Sequence, residues 1–286
     1  MSTLLLRAIA ALVGLLSWRG AQSVGAFLGG VWFRLLRVRR RTALDNLAIA
    51  LPALAADHVR IAAESYASLG ASALELVRTR AMSREEIAGR VHAVGLPHYE
   101  AAAARGRGVI VVTAHFGNFD LLAVSQAARG VPLAIVSREM SEKRSNRFWM
   151  ETRAKAGLEI FTERDAARRA LPWLRAGKVL GLVIDQRTSE RRGGILAPFF
   201  GRRVWTSTAA ARLARRTGAA IVPARTERRV DGDHDLIVEP ELALPARADP
   251  AFVETVTAAC NAALERWIRA RPGQWMWIHK RFKGAA

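Results

Sequence analysis

The sequence predicts an α/β fold, a mixed and largely parallel sheet flanked by helices, with an N-terminal membrane-contacting helical segment. After residue 109, short apolar runs alternate with amphipathic or basic helical stretches, which is typical of parallel strands joined by helical crossovers. Before residue 34 the chain is strongly apolar and almost uncharged. Its 286 residues suffice for one large domain with an appendage. We therefore expect an N-terminal anchor over residues 1–41 and an α/β domain over residues 42–286.

The N-terminal segment has two apolar stretches, residues 4–16 and 24–33, and between residues 8 and 33 Arg19 is the only charge. A spanning helix needs about 20 apolar residues, and Arg19 and Gly20 interrupt the run. One membrane span or two short interfacial helices both fit, and Trp18 and Trp32 suit an interface. A cleaved signal peptide is disfavoured because residues 1–6 carry no basic side chain and no convincing small-x-small site follows. An ordinary buried helix is the other alternative.

The distribution of charge indicates the compartment and the partners of the protein. Five arginines follow the apolar segment between residues 34 and 41, and the positive-inside rule then places the bulk of the chain on the cytoplasmic side. The net charge of +19 implies anionic partners: nucleic acid, an anionic membrane or phosphorylated substrates. Nucleic acid is disfavoured because no zinc, RNP-type or helix-turn-helix signature accompanies the charge. The single cysteine, Cys260, favours a reducing compartment, and we interpret it as a packing residue.

The predicted elements follow from apolar spacing. Residues 42–80 have helix-like spacing, divided by Pro52. Strands are predicted at residues 109–114, 133–136, 179–184, 220–223 and 236–238, and helices at residues 118–128, 141–156, 165–176, 207–217 and 250–270.

The first predicted strand ends at His115, and Gly117 and Asn118 then turn the chain before Asp120. A histidine titrates near neutral pH and can remove a proton from a hydroxyl, while a carboxylate on its second ring nitrogen would orient it. The turn can bring His115 and Asp120 together, and no serine or cysteine nucleophile lies in this segment. Direct attack by a substrate hydroxyl is therefore the simplest chemistry. Taken alone, the spacing fits a buried structural histidine and an early-helix carboxylate better.

Further blocks make the site interpretation specific. The segment from His115 to Asp120 resembles the His-x-Gly-Asn-Trp-Glu signature of the lipid A (Kdo2-lipid A) lauroyl/myristoyl acyltransferase family, within the lysophospholipid acyltransferase superfamily, with Phe and Asp in place of Trp and Glu. The matching positions and segments that follow, in order, are Arg138, Asn146, Arg153, Gly157, residues 180–186, residues 198–202 and residues 272–283. The resemblance runs from about residue 20 to the end.

This resemblance implies a glycerolphosphate-acyltransferase-like fold and an acyltransferase of lipopolysaccharide (lipid A) biosynthesis. It implies transfer of a fatty acyl chain from an acyl carrier protein thioester (acyl-ACP), as co-substrate, to a hydroxyl of a phosphorylated glycolipid at the inner membrane, with no cofactor. His115 and Asp120 would form the general base. Related enzymes that acylate an ornithine lipid, a phosphatidylinositol mannoside or another glycolipid are the alternative, and a non-catalytic membrane scaffold is disfavoured because His115 and Asp120 are both present.

Other side chains are candidates for substrate binding. Arg138, Arg153 and Arg187 suit acceptor phosphates or the phosphopantetheine arm, because guanidinium groups bind phosphate in bidentate fashion. Asp185 ends an apolar strand, where α/β folds display site residues; a partner for a buried arginine is its alternative role. Asn118 would orient the loop, donate to the thioester oxyanion, or cap a helix.

The C-terminal block mixes aromatic and basic side chains, with Trp275, Trp277 and His279 beside Lys280 and Arg281. Docking at an anionic membrane interface and packing in the core are equally compatible with it. His279 is a candidate second base, although a structural or phosphate-binding role is commoner for such a histidine. The other histidines show no metal-ligand spacing, so we predict no metal.

Overall fold

A computed structural model describes residues 3–285. The helices are α1 Thr3–Leu15, α2 Trp18–Val31, α3 Arg40–Ala50, α4 His58–Arg78, α5 Arg84–Gly89, α6 Leu96–Ala103, α7 Phe119–Ala128, α8 Lys143–Lys155, α9 Glu163–Arg175, α10 Ala209–Thr217 and α11 Phe252–Ala270. The strands are β1 Val91–Val94, β2 Val109–Thr113, β3 Leu133–Ser137, β4 Glu159–Thr162, β5 Val179–Val183, β6 Gly194–Phe199, β7 Arg202–Ser207, β8 Ala220–Arg228 and β9 His234–Val238.

The main sheet has seven strands in the order β1-β9-β8-β2-β5-β3-β4. Its neighbours pair in parallel except for β8 and β9, which are antiparallel. The predicted α/β fold with a largely parallel sheet is therefore confirmed, and each predicted strand and helix after residue 109 is present.

Four strands were not predicted: β1, β4, and the separate β6–β7 hairpin. β1 and β4 are the two edge strands, and their exposed or half-exposed residues leave no continuous apolar run for sequence analysis to detect. The hairpin turns at Phe200 and Gly201, which both have positive φ, as a tight two-residue turn requires.

The sheet separates two packed layers because strand side chains alternate in direction. Ile110 and Val112 of β2 join the cluster that includes residues of α9, α10 and α11. Val109 and Val111 face the opposite layer, which includes α6 and α7. Val111 is only partly buried although it lies in a central strand, so this second layer leaves open space against the sheet.

The N-terminal helix α2 packs closely on α4 through small residues. Gly25 and Gly29 of α2 meet Gly70 and Tyr66 of α4, and a Cβ atom added to Gly29 would lie 2.1 Å from the Tyr66 carbonyl oxygen. Trp18 at the start of α2 is buried, and its indole N–H donates to the Gly232 carbonyl at 2.8 Å. The expectation that Trp18 lies at a membrane interface is therefore wrong, because its polar atom is bound within the protein.

The same segment nevertheless exposes apolar side chains. Leu4, Leu12 and Leu15 of α1, Phe27 of α2 and Leu35 in the π-helical turn Trp32–Leu36 are all exposed. Within residues 3–285, no helix has both the length and the apolar composition needed to cross a bilayer.

Candidate active site

The site forms where β2 and β5, which are parallel neighbours, end at the same edge of the sheet. Thr113 pairs with Val183, and the chain continues to His115 on one side and Asp185 on the other. His115 Nδ1 lies 2.8 Å from Asp185 Oδ1, and the His115 backbone N–H donates to Oδ2 at 3.0 Å. The indole N–H of Trp275 donates to the same Oδ2 at 2.7 Å. Asp185 is therefore a fully engaged, buried carboxylate that orients the His115 ring.

This pairing corrects the expected partner of His115. Asp120 lies in the first turn of α7, and Arg153 of α8 binds it through Nε at 2.7 Å and a terminal nitrogen at 3.1 Å. Strand register brings Asp185 to Nδ1, whereas Asp120 faces α8. Within residues 3–285, Asp185 forms no ion pair with a buried arginine, its alternative role, although its charge acts to raise the pKa of the buried Arg281.

The two members of the pair shift each other's pKa. Burial acts to lower the pKa of His115, but the charge of Asp185 and its hydrogen bond outweigh burial and raise that pKa above 6.5. The charge of Asp120 acts in the same direction, and Arg153 opposes it. Burial acts to raise the pKa of Asp185, but the charge of His115 and the hydrogen bonds from His115 and Trp275 lower it below 3.8. Asp185 is ionised at neutral pH, and His115 Nδ1–H is its donor.

The turn after His115 is held rigidly by its surroundings. Gly117 has φ of 56°, and a Cβ atom there would lie 2.1 Å from the Thr226 carbonyl oxygen. Its N–H donates to the Gln274 carbonyl at 3.0 Å, and its carbonyl accepts from the Ser72 hydroxyl at 3.1 Å. A glycine is required here both for the left-handed backbone and for the close approach of β8.

Asn118 is the N-cap of α7. Its side-chain oxygen accepts from the Leu121 N–H at 2.9 Å, and its side-chain nitrogen donates to Glu75 at 2.7 Å. The side chain is fully buried. The structure thus gives Asn118 the capping role and leaves neither end of its amide directed at a substrate.

A cavity of about 1110 Å³ opens beside His115, and we divide its lining residues into two arms according to the elements that carry them. One arm runs between the sheet and helices α6 and α7. It is lined by apolar side chains, among them Leu96, Tyr99, Val111, Leu122, Ala123, Leu133 and Ile135. The other reaches towards α9 and α10, and we call it the basic arm because, beside apolar residues such as Ala170 and Leu213, its lining includes Arg138, Arg187, Arg192, Arg212 and Arg216. An apolar chain and an anionic group can therefore meet at one histidine.

The arginines predicted to bind substrate have different surroundings. Arg138 lines the cavity and is 58% exposed, with a loose pair to Glu163 at 3.2 Å. Arg187 also lines it, with its Nε bound to the Lys283 carbonyl at 2.9 Å. Arg153 lines it as well, but its guanidinium is occupied by Asp120. Arg138 and Arg187 are thus more open than Arg153 to a new anion.

Two further residues line the cavity, Gln186 and His279. The sequence assigned no role to the first and left the role of the second undecided. The side-chain nitrogen of Gln186 lies 3.4 Å from His115 Nε2. His279 Nε2 accepts the Arg187 backbone N–H at 3.1 Å, and burial lowers the pKa of His279. His279 is therefore a neutral imidazole with its proton on Nδ1.

The C-terminal block belongs to the core. Trp275, Trp277 and Arg281 are all buried, so docking of these three side chains at a membrane is excluded. Arg281 donates to the Gln186 and Trp205 carbonyls, and burial lowers its pKa to about 10. The role of Trp275 as a donor to Asp185 escaped sequence analysis. The available signal was the need of a buried indole N–H for an acceptor.

Comparisons with known proteins identify the family of this chain. The family described as bacterial lipid A biosynthesis acyltransferase matches residues 2–284. The chain is 26% identical to the lipid A biosynthesis lauroyltransferase of Escherichia coli K12, and the alignment covers 91% of this chain and 84% of that protein. It is 25% identical to the palmitoleoyltransferase of the same organism over the same shares. It is also 26% identical to the phosphatidylinositol mannoside acyltransferase of Mycolicibacterium smegmatis, over 77% of this chain and 70% of that one. A strand-end histidine oriented by a buried carboxylate suits acyl transfer. The family match over nearly the whole chain shows that the protein belongs to the bacterial lipid A biosynthesis acyltransferase family and is thus an acyltransferase.

Proposed function

We propose that this protein transfers a fatty acyl chain from an acyl carrier protein thioester to a hydroxyl group of a lipid A precursor at the cytoplasmic face of the inner membrane. The observation that carries the proposal is the His115–Asp185 pair at the junction of an apolar and a basic arm of one cavity. The lipid A acyltransferases of Escherichia coli among its relatives support the acceptor.

His115 acts as the general base. Because Nδ1–H donates to Asp185, Nε2 carries the lone pair, and the acceptor hydroxyl replaces the 3.4 Å contact from the Gln186 side-chain nitrogen. The hydroxyl oxygen attacks the thioester carbonyl as its proton passes to Nε2, and Asp185 stabilises the imidazolium that forms. The tetrahedral intermediate then expels the carrier thiolate, which takes the proton back from His115. In this scheme Asp120 contributes negative charge near His115 and holds Arg153 at the cavity wall.

The oxyanion of the intermediate needs donors near His115. Phe119 and Asp120 are the first two residues of α7, and their N–H groups have no acceptor within the helix. Both residues line the cavity, and the Phe119 and His115 rings meet edge-on with their centroids 4.6 Å apart. We assign these two N–H groups, together with the positive end of the α7 dipole, to the oxyanion. The other N–H groups of the turn are occupied, as that of Asn118 is by Thr226.

The two arms divide the substrates. The apolar arm takes the acyl chain, since burial of its methylene groups stabilises the complex by about 0.8 kcal/mol each. The basic arm takes the anionic groups of the acceptor, with Arg138 and Arg187 as phosphate ligands beside the reacting hydroxyl. Acyl carrier protein is acidic, so the net charge of +19 favours its approach. The reaction requires no cofactor.

Membrane contact is part of the proposal. The exposed leucines of α1 and Phe27 of α2 would enter the interface, while arginines between residues 34 and 41 face lipid phosphates. Contact through these helices brings a lipid acceptor to the catalytic domain without extracting it into water.

A second acceptor has support of its own. Phosphatidylinositol mannoside acyltransferases are among the similar proteins, with 28% identity in one from Mycobacterium tuberculosis over 56% of this chain. That acceptor also presents a phosphate and sugar hydroxyls, so it fits the same basic arm. An assay that supplies each acceptor in turn distinguishes the two.

The decisive experiment measures acyl transfer by purified protein to a lipid A precursor and to a phosphatidylinositol mannoside, each with acyl carrier protein and coenzyme A thioesters. We expect transfer to the lipid A precursor from the carrier protein, and a loss of about a hundredfold or more in His115→Ala. His98→Ala, an exposed histidine on α6 outside the cavity lining, is the matched control and should keep full activity. Full activity in His115→Ala would exclude the proposed base, and transfer to the mannoside alone would favour the second acceptor.

A further inference from the structure

A second cavity, of about 260 Å³, lies between α1 and α8 and has a strongly basic lining. Its cations are Arg7 of α1, Arg80 after α4, and Lys143, Arg144 and Arg147 of α8. One carboxylate, Glu151, is among the lining residues, and Glu142 caps α8 nearby by accepting from the Arg144 and Ser145 N–H groups. None of the five cations forms an ion pair within the part of the chain that the structure describes. Arg153, which is also on α8, is by contrast neutralised by Asp120.

One of the five cations, Arg80, is held in place by its neighbours. Arg80 donates to the Thr152 hydroxyl at 2.8 Å, and its guanidinium lies 4.8 Å from the centre of the buried Phe148 ring. Leu6 closes the cavity from the side of α1. The site therefore has one arginine held by a hydrogen bond and a ring contact, beside four further cations. Five cations beside the single lining carboxylate Glu151 repel one another unless a further anion lies among them.

The position of the cavity identifies the anion. Leu4, Leu12 and Leu15 lie on the same helix as Arg7 and are 78%, 65% and 84% exposed. In an interfacial helix, apolar side chains enter the acyl region and neighbouring cations lie at the depth of the phosphates. An anion seated between Arg7 and α8 would lie beside these leucines, which is where a lipid headgroup is found.

We propose that the α1–α8 cavity binds the phosphate of an anionic membrane phospholipid, which is not a substrate of the reaction. This site would seat α1 and α8 on the membrane surface and would make binding selective for anionic membranes. The inference rests on the membrane-contact part of the proposed function and goes beyond it, since exposed leucines alone do not distinguish anionic from neutral lipid.

The test uses the full chain and sedimentation with two kinds of vesicle, phosphatidylcholine alone and phosphatidylcholine mixed with phosphatidylglycerol. The variant Arg144→Gln/Arg147→Gln is compared with a matched control of equal charge, Arg175→Gln/Arg202→Gln, whose arginines are exposed at the end of α9 and in the β6–β7 hairpin. All four positions are exposed, and thermal unfolding checks that both variants fold. Binding of acyl carrier protein to each protein is measured in parallel.

We expect the α8 variant to lose about tenfold or more in affinity for the anionic vesicles, since each basic residue at the surface contributes about 1 kcal/mol. The control should bind like the parent, and neutral-vesicle and carrier-protein binding should be unchanged in both variants. Equal behaviour of the two variants on anionic vesicles would overturn the proposal. Loss of carrier-protein affinity alone would also overturn it and would assign the cavity to the carrier. A parent that binds neither kind of vesicle would overturn the membrane-contact part of the proposed function along with it.

Discussion

Two histidine–carboxylate pairs within residues 3–285 differ in access and in charge balance. His115 binds Asp185 at 2.8 Å, and His234 binds Glu75 at 3.0 Å. The His115 side chain is 19% exposed and lines the cavity, whereas His234 and Glu75 are both 0% exposed. The same two functional groups are thus available for proton transfer in one place and sealed in the other.

The sealed pair has more partners. Glu75 also binds Arg228 at 2.9 Å and Asn118 at 2.7 Å, and it joins α4 to β8, to β9 and to the turn that follows His115. Burial acts to raise the pKa of Glu75, but the charges of Arg228 and His234 outweigh it and hold that pKa well below 4.5. Both carboxylates have several donors, so the comparison teaches that access separates the two roles: the sealed pair fixes structure, whereas His115 leaves a ring nitrogen facing a cavity and supports chemistry.

Glu75→Gln should produce the largest change in stability. Removal of one partner from a buried ionic cluster leaves Arg228 uncompensated and costs about 3–5 kcal/mol of unfolding free energy. Because the folded-state pKa of Glu75 is depressed, its contribution is present above about pH 4.5 and is lost as the pH falls. Denaturant unfolding at several pH values measures this. An unfolding free energy equal to that of the parent at pH 7 would refute the structural role.

Asp185→Asn should instead affect catalysis. The amide cannot stabilise an imidazolium, so we expect a loss of about a hundredfold or more in kcat/KM, with the KM for the acceptor little changed. Its control is Asp120→Asn, which removes a carboxylate bound to Arg153 and not to His115. A larger loss in Asp120→Asn than in Asp185→Asn, in single-turnover assays of folded protein, would reverse our assignment of the partner.

Asn118 links the two pairs, so Asn118→Ala should affect both stability and catalysis. It removes the α7 cap and the amide donor to Glu75, which should cost about 1–2 kcal/mol of unfolding free energy and also reduce kcat because the Phe119 and Asp120 N–H groups move. Ser83→Ala removes the capping box of α5, remote in sequence from the His115 turn, and should reduce stability only. Thermal unfolding and kcat are measured together, and an Asn118→Ala enzyme with the kcat of the parent would contradict this link.

The smallest effect expected is a shift in pH dependence. His115 must be neutral to accept a proton, and its raised pKa should move the acidic limb of kcat/KM above pH 6.5. In Asp185→Asn the residual activity should have its limb at lower pH, because the charge that raises the pKa of His115 is gone. Glu75→Gln should keep the limb of the parent. A limb that is the same in the parent and in Asp185→Asn would show that His115 is not the group observed.

Local sequence determined much of this protein. Short apolar runs that alternate with helical stretches located the central strands and the helices between them. Such runs are expected because strands of a parallel sheet are buried on both faces. They also located His115 at the end of β2, followed by Gly117 in a turn that only glycine fits. The edge strands β1 and β4 were not predicted because each has four residues, of which only one is buried.

Only the tertiary structure decided which groups act together. Asp185 is 70 residues from His115 and Trp275 is 90 residues from Asp185, and strand register and chain return bring all three together. Sequence proximity favoured Asp120, but α8 supplies Arg153 to that carboxylate. The depth at which Trp275 and Glu75 are buried likewise depends on what packs over them. The chain encodes its elements through local periodicity, whereas the pairing of charges depends on distances that exist only after the elements have packed.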